Sequence, residues 1–149
     1  MKTVVLGFGN PILSDDAVGI RIAQQIKEQR PQLDVVDTCE AGLTILEHVA
    51  GYDKLIIIDS IKNGTGNPGE LYQIGLEDFK PATEIATSHG LDIATVLKVG
   101  QEMGYKIPAA VSIYAVEIKD NVTFGEECTE EVEQRIPSLT EQIMREEKL

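Results

Sequence analysis

Two aspartates and one histidine are the residues whose types and surroundings best suit chemistry at a cation. Asp16 follows a glycine-containing loop, Asp59 follows four consecutive apolar residues, and His89 stands at the expected start of a helix. A charged imidazolium is unfavourable at a helix N-terminus, so the neutral imidazole, which is the form that binds metal, fits His89 better. Two carboxylates and one imidazole suit nickel, zinc, cobalt or iron rather than calcium. Three protein ligands also leave coordination positions open for a substrate.

A parallel sheet would bring these three distant residues to one place. Ligands bind to such sheets outside the carboxyl ends of the strands, where the strand order reverses. In a flavodoxin-like order that point lies between the first and third strands. Asp16 follows the first strand, Asp59 is the last residue of the third, and His89 begins a helix after a later strand. Each residue alone has an ordinary structural explanation, and the convergence of the three predicts the site.

The segment before Asp16 predicts a strand, a glycine loop and a helix. Residues 4–6 are apolar and rich in valine, and the run is too short for a buried helix. Gly7 and Gly9 allow the backbone to turn sharply. Ser14 is placed to cap the helix that follows.

This layout invites comparison with the dinucleotide-binding fingerprint, but two details argue against it. The fingerprint needs a third glycine where Ile12 stands, and a pyrophosphate at this helix N-terminus would be repelled by Asp15 and Asp16. Asp37 lies near the position of a ribose-binding acid, but alone it indicates little. Paired carboxylates suit a cation better. For Asp15 we favour a simple interaction with the helix dipole, whereas for Asp16 that explanation and a site role are evenly balanced.

Composition indicates an ordinary globular chain without a nucleic-acid partner. The 149 residues include 42% hydrophobic and 26% charged residues, and 13 basic against 25 acidic residues give a net charge of −12. Phosphate binding needs a basic face, which this balance does not favour. The length predicts one domain over residues 1–149.

Targeting signals are not expected. The chain passes from Met1 directly into the first strand, and no apolar run approaches the roughly 20 residues that cross a bilayer. Cys39 and Cys128 lack metal-ligand spacing, so we expect reduced thiols in a cytoplasmic protein.

Strands and helices alternate along the chain. Together they predict a single three-layer α/β/α domain, with a mostly parallel, twisted central sheet of about five strands and helices on both faces. The expected strands cover residues 33–36, 54–60, 70–74 (an edge or antiparallel strand) and 109–116, in addition to the first. The expected helices cover residues 17–29, 43–50, 89–103 and 129–146, the last kinked at Pro137.

Several of these segments resemble those of the hydrogenase maturation endopeptidases, which are nickel-dependent C-terminal processing proteases. The resemblance covers nearly the whole chain, and its most specific part is a glycine loop followed by paired aspartates and a glycine. The matching segments are Gly7-Phe8-Gly9-Asn10 through Asp15-Asp16-Ala17-Val18-Gly19, Ile58-Asp59, Asn67-Pro68-Gly69-Glu70 and Ser88-His89-Gly90. One departure is the family's glycine-rich segment after the second strand, where only Gly42 and Thr44 remain of Glu40-Ala41-Gly42-Leu43-Thr44.

The resemblance implies an activity and a ligand set. The activity is removal of the C-terminal extension from a [NiFe] hydrogenase large-subunit precursor that already holds nickel. The family's two metal-contacting carboxylates fall on Asp16 and Asp59, and its histidine falls on His89. Nickel is then supplied by the precursor, and we expect the protein to act as a monomer.

Metal-assisted peptide hydrolysis is the mechanism that these residues suggest. Neither histidine belongs to a local serine or cysteine nucleophile motif, and His48 is assigned no role. Nickel would polarise the scissile carbonyl or a bound water, and Asp16 or an unligated carboxylate oxygen would accept the proton. The alternative from another class is a non-catalytic nickel-binding chaperone or assembly adaptor. A nucleotide-binding module is the third and weakest possibility.

Overall fold

Five strands form one sheet in the described part of the chain. The computed structural model describes residues 1–39, 42–62, 66–76 and 93–149. The strand order is β2-β1-β3-β5-β4, and neighbours are parallel except for β4, which pairs antiparallel with β5 at the edge. This confirms the mostly parallel sheet and the edge position of the fourth strand. The strands are β1 (Thr3–Phe8), β2 (Asp34–Thr38), β3 (Lys54–Ile61), β4 (Leu71–Gly75) and β5 (Ala110–Glu117).

The strand order reverses between β1 and β3, as the flavodoxin-like prediction requires. β2 lies on one side of β1, and β3 lies on the other. The connection from β1 to β2 contains α1 (Val18–Gln29), and that from β2 to β3 contains α2 (Leu46–Val49) after a 3-10 turn. These helices pack on opposite faces of the sheet. A crevice outside the carboxyl ends of β1 and β3 is therefore the expected ligand position.

Helices cover both faces, which gives the predicted three layers. One face packs against α1 and α5 (Ile136–Glu147), and the other packs against α2 and α3 (Ile93–Glu102). β3 is buried from its second residue onward, which explains why its apolar residues do not alternate with polar ones. None of the helices in the four described ranges has the length and apolar content that a membrane crossing requires. The predicted stripe of α1 is fully buried, with 0% exposure for Val18, Ile22 and Ile26.

The last helical region differs from the prediction of one helix kinked at Pro137. Instead, α4 (Glu130–Glu133) ends, and α5 begins at Ile136 with Pro137 in its first turn. Proline has no N–H to donate within a helix, whereas the first turn needs no such donor. The chain therefore starts a new helix at Ile136 rather than bending one at Pro137.

The C-terminal end of α5 is fixed to the sheet by a buried polar network. The Tyr114 hydroxyl donates to Glu147 Oε2 at 2.5 Å, and Lys54 Nζ lies 2.5 Å from Oε1. Burial raises the pKa of Tyr114, and the adjacent carboxylate raises it further. Burial opposes ionisation of Glu147, but the bonds from Lys54 and Tyr114 outweigh it and lower the Glu147 pKa. An ionised Glu147 thus links the helix to the amino-terminal part of β3.

Two glycines allow α1 to approach the sheet closely. A Cβ on Gly19 would lie 2.4 Å from the carbonyl oxygen of Ile58, and a Cβ on Gly7 would lie 2.6 Å from the Cβ of Ala23. Gly7 lies within β1, so the prediction that it forms part of the turn is wrong. Because Gly7 has no side chain, α1 can lie close to β1. The glycine is needed here for this packing and not for a turn of the backbone.

Replacing Gly19 with alanine is expected to lower the free energy of unfolding by about 1–3 kcal/mol, because the new methyl group would overlap backbone atoms that cannot rotate away. Urea unfolding followed by circular dichroism measures the change. Gly125→Ala is the matched control, since nothing lies within 4 Å of a Cβ at that position. Equal stability of the two variants would contradict the close packing of α1.

Candidate functional site

Asp16 and Asp59 lie at the carboxyl ends of β1 and β3. Asp16 belongs to the 3-10 turn Ser14–Ala17, and Asp59 lies within β3, which continues past its predicted end to Ile61. Their exposed fractions are 5% and 2%. The Ser60 N–H donates to Asp59 Oδ1 at 2.8 Å, and the Ser60 hydroxyl donates to Asp16 Oδ1 at 3.0 Å. The two aspartates therefore share a hydrogen-bonding partner at the point where the strand order reverses.

Gly9 allows the turn that carries Asp16 to lie against the end of β1. A Cβ on Gly9 would lie 2.2 Å from the carbonyl oxygen of Asp16, so a side chain here would push the turn away. The backbone N–H of Asn10 donates to Asp16 Oδ2 at 3.0 Å. With the bond from Ser60 to the other oxygen, this contact fixes the orientation of the carboxylate.

Ser14 does not cap the helix, contrary to the prediction. It lies inside the 3-10 turn with φ +46°, and neither this turn nor α1 has a side-chain capping bond at its start. The Ser14 N–H donates to the Gly125 carbonyl at 3.1 Å, and the Cys128 thiol donates to the Ser14 carbonyl. Burial raises the pKa of Cys128 to about 12, which keeps this thiol protonated. These contacts hold a left-handed conformation that is uncommon for residues other than glycine.

Asp15 holds the connection between β5 and α4 against the turn that carries Asp16. It is fully buried; its Oδ2 accepts the N–H groups of Lys119 and Asp120, both at 3.0 Å, and its Oδ1 accepts the N–H of Thr129 at 2.6 Å. The Thr129 hydroxyl donates to Asp15 as well. The predicted interaction with the helix dipole therefore describes only a small part of its role. Its partners lie 104 to 114 positions later in the chain, so local sequence carries no signal for them.

His89, the third predicted site residue, lies outside the described residues. Glu40 and Ala41 also lie outside them, while Gly42 begins the 3-10 turn Gly42–Ile45 with φ +72°. Within the described ranges, no group of three or more histidine, cysteine, aspartate and glutamate side chains is arranged to hold a metal ion. A site with three ligands from Asp16, Asp59 and His89 therefore stays a prediction, to which the described part of the chain contributes two carboxylates.

A further buried carboxylate, Glu117, was not identified from the sequence because the predicted strand stops one residue before it. Glu117 ends β5 and is 1% exposed. Strand register and alternation put it on the same sheet face as Asp59. The Tyr72 hydroxyl oxygen lies 3.2 Å from both Glu117 Oε1 and Glu70 Oε2. Burial and the two carboxylates raise the pKa of Tyr72, so the hydroxyl keeps its proton. It can donate this single proton to only one of the two carboxylates at a time.

Known proteins resemble this chain over nearly its whole length. The family model described as hydrogenase maturation protease matches residues 17–146. The hydrogenase 2 maturation protease of Escherichia coli (strain K12) is 30% identical over 149 aligned positions, which cover 97% of this chain and 89% of that protein.

Solved structures have the same fold. The hydrogenase maturating endopeptidase HybD from E. coli superposes with a TM-score of 0.78 at 28% identity, covering 99% of this chain and 94% of that one. The [NiFe] hydrogenase maturation protease HybD from Thermococcus kodakarensis gives a TM-score of 0.77 at 21% identity, with 97% and 98% covered, which supports the fold alone. The chain therefore belongs to the hydrogenase maturation proteases, a family of peptidases.

Proposed function

We propose that this chain removes the C-terminal extension of a [NiFe] hydrogenase large-subunit precursor after nickel has been inserted. The observation that carries the proposal is the hydrogen bonding of Asp16 and Asp59 to the same residue, Ser60, at the end of β3. Ligands of α/β proteins bind at this point of a sheet. Membership of the protease family supplies the reaction class.

In this proposal nickel belongs to the substrate, and Asp16, Asp59 and His89 recognise it. Carboxylate oxygens and a neutral imidazole form a ligand set that suits nickel. The ion would polarise the scissile carbonyl or a water bound beside it. A precursor without nickel would lack this contact, so cleavage would follow metal insertion and not precede it.

Asp16 is the proposed proton acceptor. Asn10 and Ser60 each donate to one oxygen of its carboxylate, and these bonds hold the group in a fixed orientation at the edge of the sheet. A carboxylate held this way can accept the proton of the attacking water as the water oxygen bonds to the carbonyl carbon. The leaving amide nitrogen takes up a proton as the peptide bond breaks. Ser60 acts in this scheme as a positioning residue.

Mass spectrometry of the precursor tests the proposal. A purified [NiFe] hydrogenase large-subunit precursor from the same organism is incubated with this protein, once loaded with nickel and once without the metal. We expect loss of a C-terminal peptide from the nickel-loaded sample only. Cleavage of both samples would exclude nickel recognition, whereas a stable complex without any shortened precursor would indicate a chaperone.

A further inference from the structure

We propose that Ile12, Val122 and Phe124 form a docking surface for an apolar segment of the protein substrate that is flanked by lysine or arginine. The proposal rests on the proposed function, because it describes a contact that the same substrate makes outside the cleavage site. The three side chains, here named the apolar platform, are 48%, 73% and 80% exposed. Single exposed apolar residues are common, whereas a contiguous group is typical of an interaction site.

Backbone hydrogen bonds group the members of the apolar platform. The Gly125 N–H donates to the Ile12 carbonyl at 2.8 Å, and the Ser14 N–H donates to the Gly125 carbonyl at 3.1 Å. These bonds form a parallel bridge in which Leu13 is opposite Gly125. In that register Ile12 lies beside Phe124, and Val122 is two positions earlier on the same loop.

The loop that carries Val122 and Phe124 is ordered even though these side chains are exposed. Asp120 Oδ1 accepts the N–H groups of Val122 at 2.9 Å and Thr123 at 3.0 Å. Asp120 is itself held by Asp15, through one bond to its N–H and one to its carbonyl. A loop fixed in this way keeps Phe124 in solvent and loses little conformational freedom when a partner binds.

The apolar platform is directly connected to the proposed catalytic edge. The Ile12 N–H donates to Asn10 Oδ1 at 3.1 Å, and the Asn10 N–H donates to Asp16 Oδ2 at 3.0 Å. Two hydrogen bonds therefore separate the platform from the carboxylate that we propose as proton acceptor. A segment bound on the platform would be held at a fixed distance from the scissile bond.

The charges around the platform determine which kind of segment fits. Asp120 precedes Val122 in the loop, and the exposed Glu126, Glu127 and Glu130 follow Phe124. Lys62 and Lys119 lie near Asp120, and Lys119 pairs with Glu131, so acidic side chains outnumber basic ones around the platform. The chain as a whole carries a net charge of −12. An acidic rim repels acidic peptides and attracts basic ones, so the complementary segment has an apolar centre with lysine or arginine beside it.

Replacing Val122 and Phe124 together with serine tests the apolar contact. With the nickel-loaded large-subunit precursor as substrate, we expect KM to rise about tenfold or more, with a smaller change in kcat, because two apolar side chains no longer become buried on binding. Met103→Ser/Tyr105→Ser is the matched control, since these residues are 59% and 41% exposed and lie beyond α3 in the connection that leads into β5. The control should keep the KM of the unmodified protein.

A second pair of variants tests the acidic rim. Glu126→Lys/Glu127→Lys is expected to raise KM severalfold at low salt and to lose most of this effect at high salt. Glu28→Lys/Glu102→Lys makes the same change in net charge at exposed positions near the ends of α1 and α3. Equal KM values for the two charge-reversed variants would overturn the assignment of a basic flank.

These experiments can contradict the docking surface and the proposed function independently of each other. If the unmodified protein cuts the precursor and Val122→Ser/Phe124→Ser leaves KM unchanged, the docking surface is wrong and the function stands. If the precursor stays uncut but the same variant weakens its binding about tenfold in biolayer interferometry, the docking surface stands and the function fails. A dimer in sedimentation that this variant dissociates, with KM unchanged, would identify a contact between two copies and overturn the proposal.

Discussion

Replacing Asp16 with asparagine is expected to slow cleavage of the nickel-loaded precursor by about 10²–10⁴-fold, the range for removal of a general base. Asparagine has nearly the same size, but it carries no negative charge and cannot take up the proton of the attacking water. Its NH₂ group would also face a backbone or hydroxyl donor, because Asn10 and Ser60 donate to the two oxygens of Asp16. Single-turnover cleavage followed by mass spectrometry measures the rate.

Two further variants make this result specific to Asp16. Asp37→Asn makes the same chemical change at an exposed aspartate that bonds Gln24, and it should cleave at the normal rate. Ser60→Ala removes one of the bonds that orient Asp16 but leaves its charge, so its rate should lie between those of the other two. Normal cleavage by Asp16→Asn would exclude the proposed role.

Local patterns were sufficient to predict the architecture. The unbroken apolar run of β3 requires cover on both faces of the sheet, and the stripe of α1 requires one buried helical face; both are observed. The moderate alternation of residues 70–74 predicted an edge strand, which is β4. The reversal between β1 and β3 that a flavodoxin-like order requires is also observed, and Asp16 and Asp59 lie at the carboxyl ends of these two strands. The rules for connections between strands allow only a few strand orders for such a sheet, which is why sequence patterns can indicate the order.

Contacts between distant segments could not be predicted in the same way. The residues that bond Asp15 become its neighbours only after β5 has paired with β3, and nothing in residues 10–20 encodes them. The left-handed turn at Ser14 depends equally on Gly125. The break before Pro137 cannot be predicted for a different reason, since proline is compatible with both a kinked helix and the first turn of a new one.

The segment from β1 to α1 has the layout of a dinucleotide-binding motif, but it differs from that motif at two positions. The sequence lacks the third glycine at Ile12, but Gly19 gives α1 the close approach to the sheet that this glycine normally provides. The N–H of Asn10, in the loop after β1, donates to the Asp16 carboxylate within the same chain. A loop of this kind elsewhere offers its N–H groups to phosphate. An internal carboxylate in that position would suit a cation better than a phosphate.

Replacing Asp15 with alanine is expected to lower the free energy of unfolding by about 3 kcal/mol or more, because the buried N–H groups of Lys119, Asp120 and Thr129 would lose their acceptor. For a chain of this length that corresponds to a melting temperature lower by about 6–12 °C. Thermal unfolding followed by circular dichroism measures the shift. Asp15→Asn keeps one acceptor oxygen and should lose about half as much stability.

Kinetic measurements then distinguish the role of Asp15 from that of Asp16. At a temperature where the Asp15→Ala variant remains folded, its kcat should stay much closer to normal than that of Asp16→Asn, because Asp15 bonds the distant loop and not Ser60. Its KM should rise, since the segment that carries the apolar platform is no longer fixed. Loss of kcat without loss of stability would instead assign Asp15 to the chemistry, and an unchanged melting temperature would show that its buried hydrogen bonds do not stabilise the fold.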